Sequence, residues 1–191
     1  MSEVPVLGMQ VDDEIQLRLV EERHADEYYA LIDSNRGYLR EWMGWVDRET
    51  SAESLKEFIH RRLLQFAHSQ GLPLGIWYQG KLAGVISFNY IDYVLRKADI
   101  GYWLDARLQG RGIMTRACRA LIELGFGEYG LNKIEIRCAV GNRPSRAIPE
   151  RLGFQQEGIL RANEWLYDRY VDMVVYGMLA SEWRERGEAG G

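Results

Sequence analysis

The chain reads as a single α+β domain built on one mixed β-sheet, and three observations lead there. Its 191 residues suffice for one well-buried domain and fall short of two. Strand-period and helix-period segments succeed one another as helices, an antiparallel hairpin, then strand–helix–strand–helix–strand–strand. Composition is globular throughout, at 47% hydrophobic and 27% charged residues, with no repeat, linker or low-complexity stretch to divide the chain.

The elements follow in order. Residues 15–19 alternate around Arg18 and predict a first strand, and 22–35 and 38–43 predict two short helices. Thr50-Ser51-Ala52-Glu53 reads as a capping box opening a helix to about residue 69, with Leu55, Phe58, Ile59, Leu63 and Phe66 on its apolar face. Residues 74–78 and 81–90 flank Gln79-Gly80, a hairpin signal in which Gly80 supplies positive φ. Residues 97–104 form the next strand. Residues 112–129 form a helix with Ile113, Ala117, Leu121 and Leu124 along one face. A strand over 133–140, a short helix over 145–152, strands over 154–160 and 170–178, and a frayed polar tail from 184 complete the pattern.

Between the strand at 97–104 and the helix after it lies Arg107-Leu-Gln-Gly-Arg-Gly-Ile-Met-Thr115. Gly110 and Gly112 permit a tight turn in which successive N–H groups converge, and a helix starting there adds its unpaired N–H groups and positive dipole end. No acid occurs from 106 to 122, whereas Arg107, Arg111, Arg116 and Arg119 are basic, on a chain of formal net charge −4. This is a local site for a phosphate-bearing ligand. A P-loop would need Lys and Ser/Thr after Gly112, where Ile113 and Met114 stand, and the dinucleotide fingerprint would need Gly or Ala where Thr115 stands.

Residues 1–11 carry Glu3 and lack the basic and long apolar regions of a signal peptide, and no apolar run approaches the ~20 residues that span a bilayer, so a cytoplasmic protein is expected. Cys118 and Cys138 read as reduced, buried small hydrophobes. His24, His60 and His68 show no metal-ligand spacing, and no metal is expected. The acidic balance argues against non-specific nucleic acid or membrane binding and suits a basic protein substrate.

Four motifs in order resemble the GNAT-fold N-acetyltransferases, in the branch of bacterial ribosomal-protein serine/alanine N-terminal acetyltransferases. They are Ile100-Gly101-Tyr102-Trp103, Arg107-x-x-Gly110-x-Gly112, Asn142-x-x-Ser145 and Gly153-Phe154, within a likeness extending over about residues 15–182. The resemblance implies one GNAT domain over 1–191, its mixed central sheet carrying splayed parallel strands flanked by helices. It implies acetyl-CoA as co-substrate, its pyrophosphate on the N–H groups of Gln109, Gly110, Arg111, Gly112, Ile113 and Met114, with Thr115 closing the loop. The pantetheine arm would pair with backbone near Trp103 and Leu104, Asn142 would hold it from the far side, and Arg146 would reach the CoA phosphates. Asn142 has an alternative role as the cap of the following helix.

Direct attack of a neutral amine on the thioester needs a base for the amine proton, donors for the oxyanion and an acid for the departing thiolate. Many GNAT enzymes use a Tyr as the acid, at a position that here falls on Pro149. The resemblance shifts that role to Ser145, whose alternative is a helix-start residue. It assigns the base to Glu164, whose alternatives are a surface carboxylate and proton loss through water. The expected acceptor is a primary amine, in particular a protein N-terminus. A small-molecule amine (polyamine, amino sugar or antibiotic) and a non-catalytic CoA-binding factor are the rivals. The acceptor groove falls to residues 38–48 and 161–170, and the aromatics Trp42, Trp45, Tyr167 and Tyr170 point to a homodimer.

Overall fold

The computed structural model describes residues 8–188. In chain order its elements are β1 (Gly8–Gln10), β2 (Ile15–Leu19), α1 (Ala25–Arg40), α2 (Ala52–Ala67), β3 (Leu72–Tyr78), β4 (Lys81–Asp92) and β5 (Lys97–Leu104). There follow α3 (Ile113–Gly127), β6 (Lys133–Ala139), α4 (Arg143–Leu152), β7 (Gln155–Leu166), β8 (Arg169–Leu179) and α5 (Ala180–Glu188). The eight strands form one sheet in the order β1-β2-β3-β4-β5-β6-β8-β7.

Every neighbouring pair is antiparallel except β5 and β6, which α3 connects as a crossover. Their pairing runs only from Lys97↔Lys133 to Ile100↔Ile136, although β5 continues to Leu104 and β6 to Ala139. Beyond Ile100 the strands part, leaving two half-unpaired edges that face each other across a wedge. Side-chain alternation then sorts the sheet into two layers. Ile86, Phe88 and Ile100 pack with Ile113, Ala117 and Leu121 of α3, while Trp77, Leu82 and Trp103 pack with Tyr28, Ile32, Leu55 and Ile59 of α1 and α2.

Two irregularities aim side chains. The β4–β5 register shifts between Phe88 and Tyr90, displacing Asn89, and the β7–β8 register shifts between Leu160 and Glu164. Bulges of this kind bend a strand and redirect the residues beside them.

The predicted strands all occur, with β7 extending to Leu166. Three expectations need correction. Residues 25–40 form one helix rather than two short ones, because Asn35, a residue that often interrupts helices, is buried and satisfied there. Its Nδ2 donates to Leu31 O at 3.0 Å and its Oδ1 accepts from Ala106 N at 2.9 Å. The capping box lies one residue later than Thr50/Glu53, with Ser51 as cap and Ser54 as its reciprocal partner. The tail from 184 continues α5 to Glu188 rather than fraying; residues 189–191 lie outside the described chain. Among the described residues no helix is long and apolar enough to cross a membrane.

Candidate active site

A cavity of about 990 Å³ runs through the β5–β6 wedge and under α1 and α2. One end is the loop before α3. Gly110 (φ +77°) and Gly112 (φ +72°) adopt the left-handed conformation, and a Cβ on either would stand in open space. No side chain caps the N-terminus of α3. Unpaired N–H groups, a positive dipole end and room for a ligand therefore coincide, and they fit a pyrophosphate. Gln109, Gly110, Gly112, Ile113, Met114 and Thr115 line the cavity at this end; Arg111 does not.

The arginine excess supplies less free charge than the sequence suggests. Arg107 is forked onto Asp105, one residue outside the acid-free window, through Nε at 3.0 Å and Nη2 at 2.6 Å. That hydrogen bonding holds the Asp105 carboxyl below its usual range. Arg116 pairs with Asp12 at 2.7 Å and Glu14 at 3.1 Å, and Arg119 lies over the Trp183 ring. The expected phosphate contact Arg146 is also engaged elsewhere, donating to Tyr176 Oη at 3.0 Å and Val140 O at 3.0 Å, and it does not line the cavity. It sits about 100° around α4 from Ser145, on the face toward β8. Arg151 instead lines the cavity and donates to Thr115 Oγ1 at 2.9 Å. The helical spacing of Pro144, Ile148 and Arg151 was the available signal for it.

In the wedge, Trp103, Leu104, Asn142 and Ser145 line the cavity. Asn142 is the cap of α4, its Oδ1 accepting from Ser145 N at 3.2 Å. The capping role uses only one face of that amide oxygen. Ser145 Oγ lies 3.2 Å from Cys138 Sγ, and Tyr102 Oη donates to Ser145 O at 2.9 Å. Burial pushes both the Tyr102 phenol and the Cys138 thiol up, so both stay protonated around neutral pH. Pro149 lies buried within α4.

Glu164 faces the wedge from β7. Residues 161–163 have no counterpart on β8, Ala162 turns at φ +48°, and Ala162 N donates to Asp172 Oδ1 at 2.8 Å. This bulge re-aims the strand at Glu164. The side chain is open to the cavity, yet the surrounding protein withdraws enough water to push its carboxyl up.

Beyond the wedge the cavity continues under α1 and α2. Tyr38, Trp42 and Trp45 line it, as the sequence places them, but Phe58, Ile59 and Arg62 of α2 and Ser87 and Asn89 of β4 do too. The aromatics assigned to an interface thus divide: Trp42 and Trp45 serve the cavity, and Tyr167 docks on residue 43, its Oη donating to Met43 O at 2.8 Å.

A splayed parallel pair, a glycine turn feeding an uncapped helix, and one cavity joining them define an acetyl-CoA-dependent acetyltransferase. Residues 14–155 match the acetyltransferase (GNAT) domain, and the chain belongs to that family of N-acetyltransferases. It is 40% identical to YdaF of Bacillus subtilis (strain 168) over 176 residues, 91% of this chain and 95% of that protein. It is 32% identical over 171 residues to the ribosomal-protein-serine acetyltransferase of Escherichia coli (strain K12), 90% of this chain and 96% of that one. RimL, a ribosomal L7/L12 alpha-N-protein acetyltransferase solved in complex with coenzyme A, superposes with a TM-score of 0.89 at 29% identity, covering 92% of this chain and 99% of RimL.

The glycine turn yields a direct test. Gly112→Val forces a β-branched residue into positive φ, costing about 1–2 kcal/mol, and places methyl groups where the loop leaves space for phosphates. Acetyl-CoA should raise the melting temperature of the native chain by mass action and that of the variant little or not at all. Equal shifts by calorimetry would remove the loop from the binding site.

Proposed function

We propose that the protein transfers acetyl from acetyl-CoA to the N-terminal amine of a protein, a ribosomal protein by likeness to the relatives above, in the cytoplasm. The observation that carries this is the continuity of the cavity. One cavity is lined by the glycine turn, by Ser145 and Glu164, and by α1, α2 and β4, so the co-substrate and a peptide end can meet in one wedge.

Acetyl-CoA supplies an activated acyl group; the chain supplies the positions. N–H groups from Gln109 to Met114 hold the pyrophosphate, and the free edge of β5 at Trp103 and Leu104, with Asn142 at the start of α4 on the far side, holds the amide arm. Glu164 takes the proton of the attacking amine. Backbone N–H groups at the end of β5 receive the oxyanion, and Ser145 Oγ–H donates to the sulfur as the C–S bond breaks. A thiolate leaves readily, so a hydroxyl donor suffices. Arg151 takes the phosphate contact that Arg146 does not make.

Coenzyme A release, assayed across N-terminal peptides, spermidine, amino sugars and aminoglycosides, tests the acceptor. N-terminal peptides should be turned over with the highest kcat/KM. Turnover confined to a small amine would overturn the proposed acceptor.

We also propose a homodimer through the β7–β8 hairpin, where Ile159, Leu160, Trp165 and Tyr170 are exposed and the last two rings meet edge-on at 4.8 Å. Light scattering at micromolar concentration should give twice the chain mass, and a single-chain mass overturns the dimer.

A further inference from the structure

We infer that Arg62 selects acceptors carrying a carboxylate close to the reacting amine, so that the lobe of the cavity under α1 and α2 takes acidic peptide N-termini and rejects polycations. This rests on the acetyl-transfer reading above and adds the acceptor's charge to it.

Arg62 projects from α2 into the lobe at the point where the β4 bulge displaces Asn89. Its Nη1 donates to Gln65 Oε1 at 2.6 Å and to Asn89 O at 3.3 Å, and its Nη2 reaches Phe88 O at 3.5 Å. All three acceptors are neutral. Among the described residues no carboxylate lies within 4.0 Å of the guanidinium, and its Nε has no hydrogen-bond partner. Burial draws its pKa down, and Asp99 and Tyr28 oppose that only through space. A cation so placed has lost water and gained no direct ion pair, Asp99 acting on it only at a distance, and a carboxylate meeting its open edge adds charge-assisted bonds.

The rest of the lobe fixes that edge. Gln65 Nε2 also donates to Asn89 O at 2.7 Å, tying α2 to the bulge. Ser87 Oγ donates to Asn89 Oδ1 at 2.8 Å, and Asn89 Nδ2 donates to Asp99 Oδ2 at 3.1 Å. A Cβ at Gly101 would collide with the Asn89 amide, so glycine there is what lets Asn89 lie across β5. The guanidinium is thereby held by the Gln65 side chain and by the main chain of β4 rather than left to swing.

Charge elsewhere in the lobe sharpens the assignment. Arg137, which also lines the cavity, has an ion-pair partner in Glu135 at 3.1 Å, a carboxylate it shares with Lys97 and Lys133. Glu164 supplies negative charge at the wedge, where the amine reacts. The lobe is therefore dipolar, with an acid at the amine end and a cation lacking a direct ion-pair partner further in. A peptide with a free N-terminus and a nearby acidic side chain matches both ends, whereas a polyamine would set a second cation against Arg62.

The test uses tetrapeptide amides beginning with Ser, with Asp at position two, three or four, each against its Asn counterpart, so that only the carboxylate differs. For at least one position the native enzyme should favour Asp over Asn by ~10-fold or more in kcat/KM, the size expected of a hydrogen-bonded charge contact. In Arg62→Gln that ratio should fall toward one through a rise in KM for the acidic peptide, and Arg62→Lys should restore part of it. Spermidine should be a poor acceptor for the native enzyme. Equal kcat/KM for every Asp and Asn pair, or a preference that survives in Arg62→Gln, overturns the inference and leaves peptide acetylation standing. Turnover of spermidine with none of the peptides overturns the acceptor reading and this inference together. The native ratio needs no variant, so poor folding of either substitution does not spare the inference.

Discussion

Glu164→Gln is expected to lower kcat/KM about 100-fold near pH 6, the lower end of what a positioned general base contributes. The substitution keeps size and hydrogen bonding and removes only the proton acceptor. Its pH dependence separates a base from a binding group. Burial raises the Glu164 pKa, so the native enzyme loses activity as pH falls through that raised value and the carboxylate becomes protonated. The variant has no such group, and its rate follows the fraction of neutral amine, which grows until pH passes the α-amine pKa of about 7.7–8.0. The deficit should therefore narrow toward pH 9, where the amine needs no base. A deficit that stays constant from pH 6 to 9 in initial-rate assays would mean that Glu164 binds the acceptor without taking its proton.

The parts of this site that were legible in the sequence are those built from contiguous residues. The glycine turn, the strand before it and the helix after it lie within one short stretch, and Asn142 and Ser145 are three residues apart at a helix start. Local chemistry specifies them, because φ > 0 favours glycine and a cap needs a side-chain acceptor. The strand pattern was legible for the same reason, since alternation survives wherever one face is buried. What escaped was charge state and the α2–β4 side of the cavity. Arg107 and Arg116 looked free because their partners, Asp105 and the pair Asp12 and Glu14, lie outside the acid-free window, the latter a hundred residues away on the neighbouring sheet edge. Arg62, Ser87 and Asn89 carry no motif; they meet only because α2 lies across a bulge in β4. Arg151 carries no motif either; only its helical phase with Pro144 and Ile148 places it on the cavity side of α4.

Ser145→Ala should lower kcat by at least ~10-fold, where loss of a single acid–base group typically costs ~100- to 10,000-fold and water is allowed as a partial substitute. The structure separates this from a folding effect. The bond that caps α4 runs from the Ser145 main-chain N–H to Asn142 Oδ1, and alanine retains that N–H. The carbonyl that receives the Tyr102 hydroxyl is also main chain and stays in place. Only Oγ is lost, together with its 3.2 Å contact to Cys138 Sγ. Stability should therefore change little, and acetyl-CoA affinity should hold because the glycine turn is untouched. The loss should appear in kcat rather than in KM for acetyl-CoA, since the donor acts as the C–S bond breaks. Neighbouring donors do not replace it readily: the Tyr102 proton is committed to the Ser145 carbonyl, and the Cys138 thiol donates weakly. Full activity of Ser145→Ala from pH 6 to 9, by coenzyme A release under saturating acceptor, would leave the serine without a chemical role and pass the donor function to solvent.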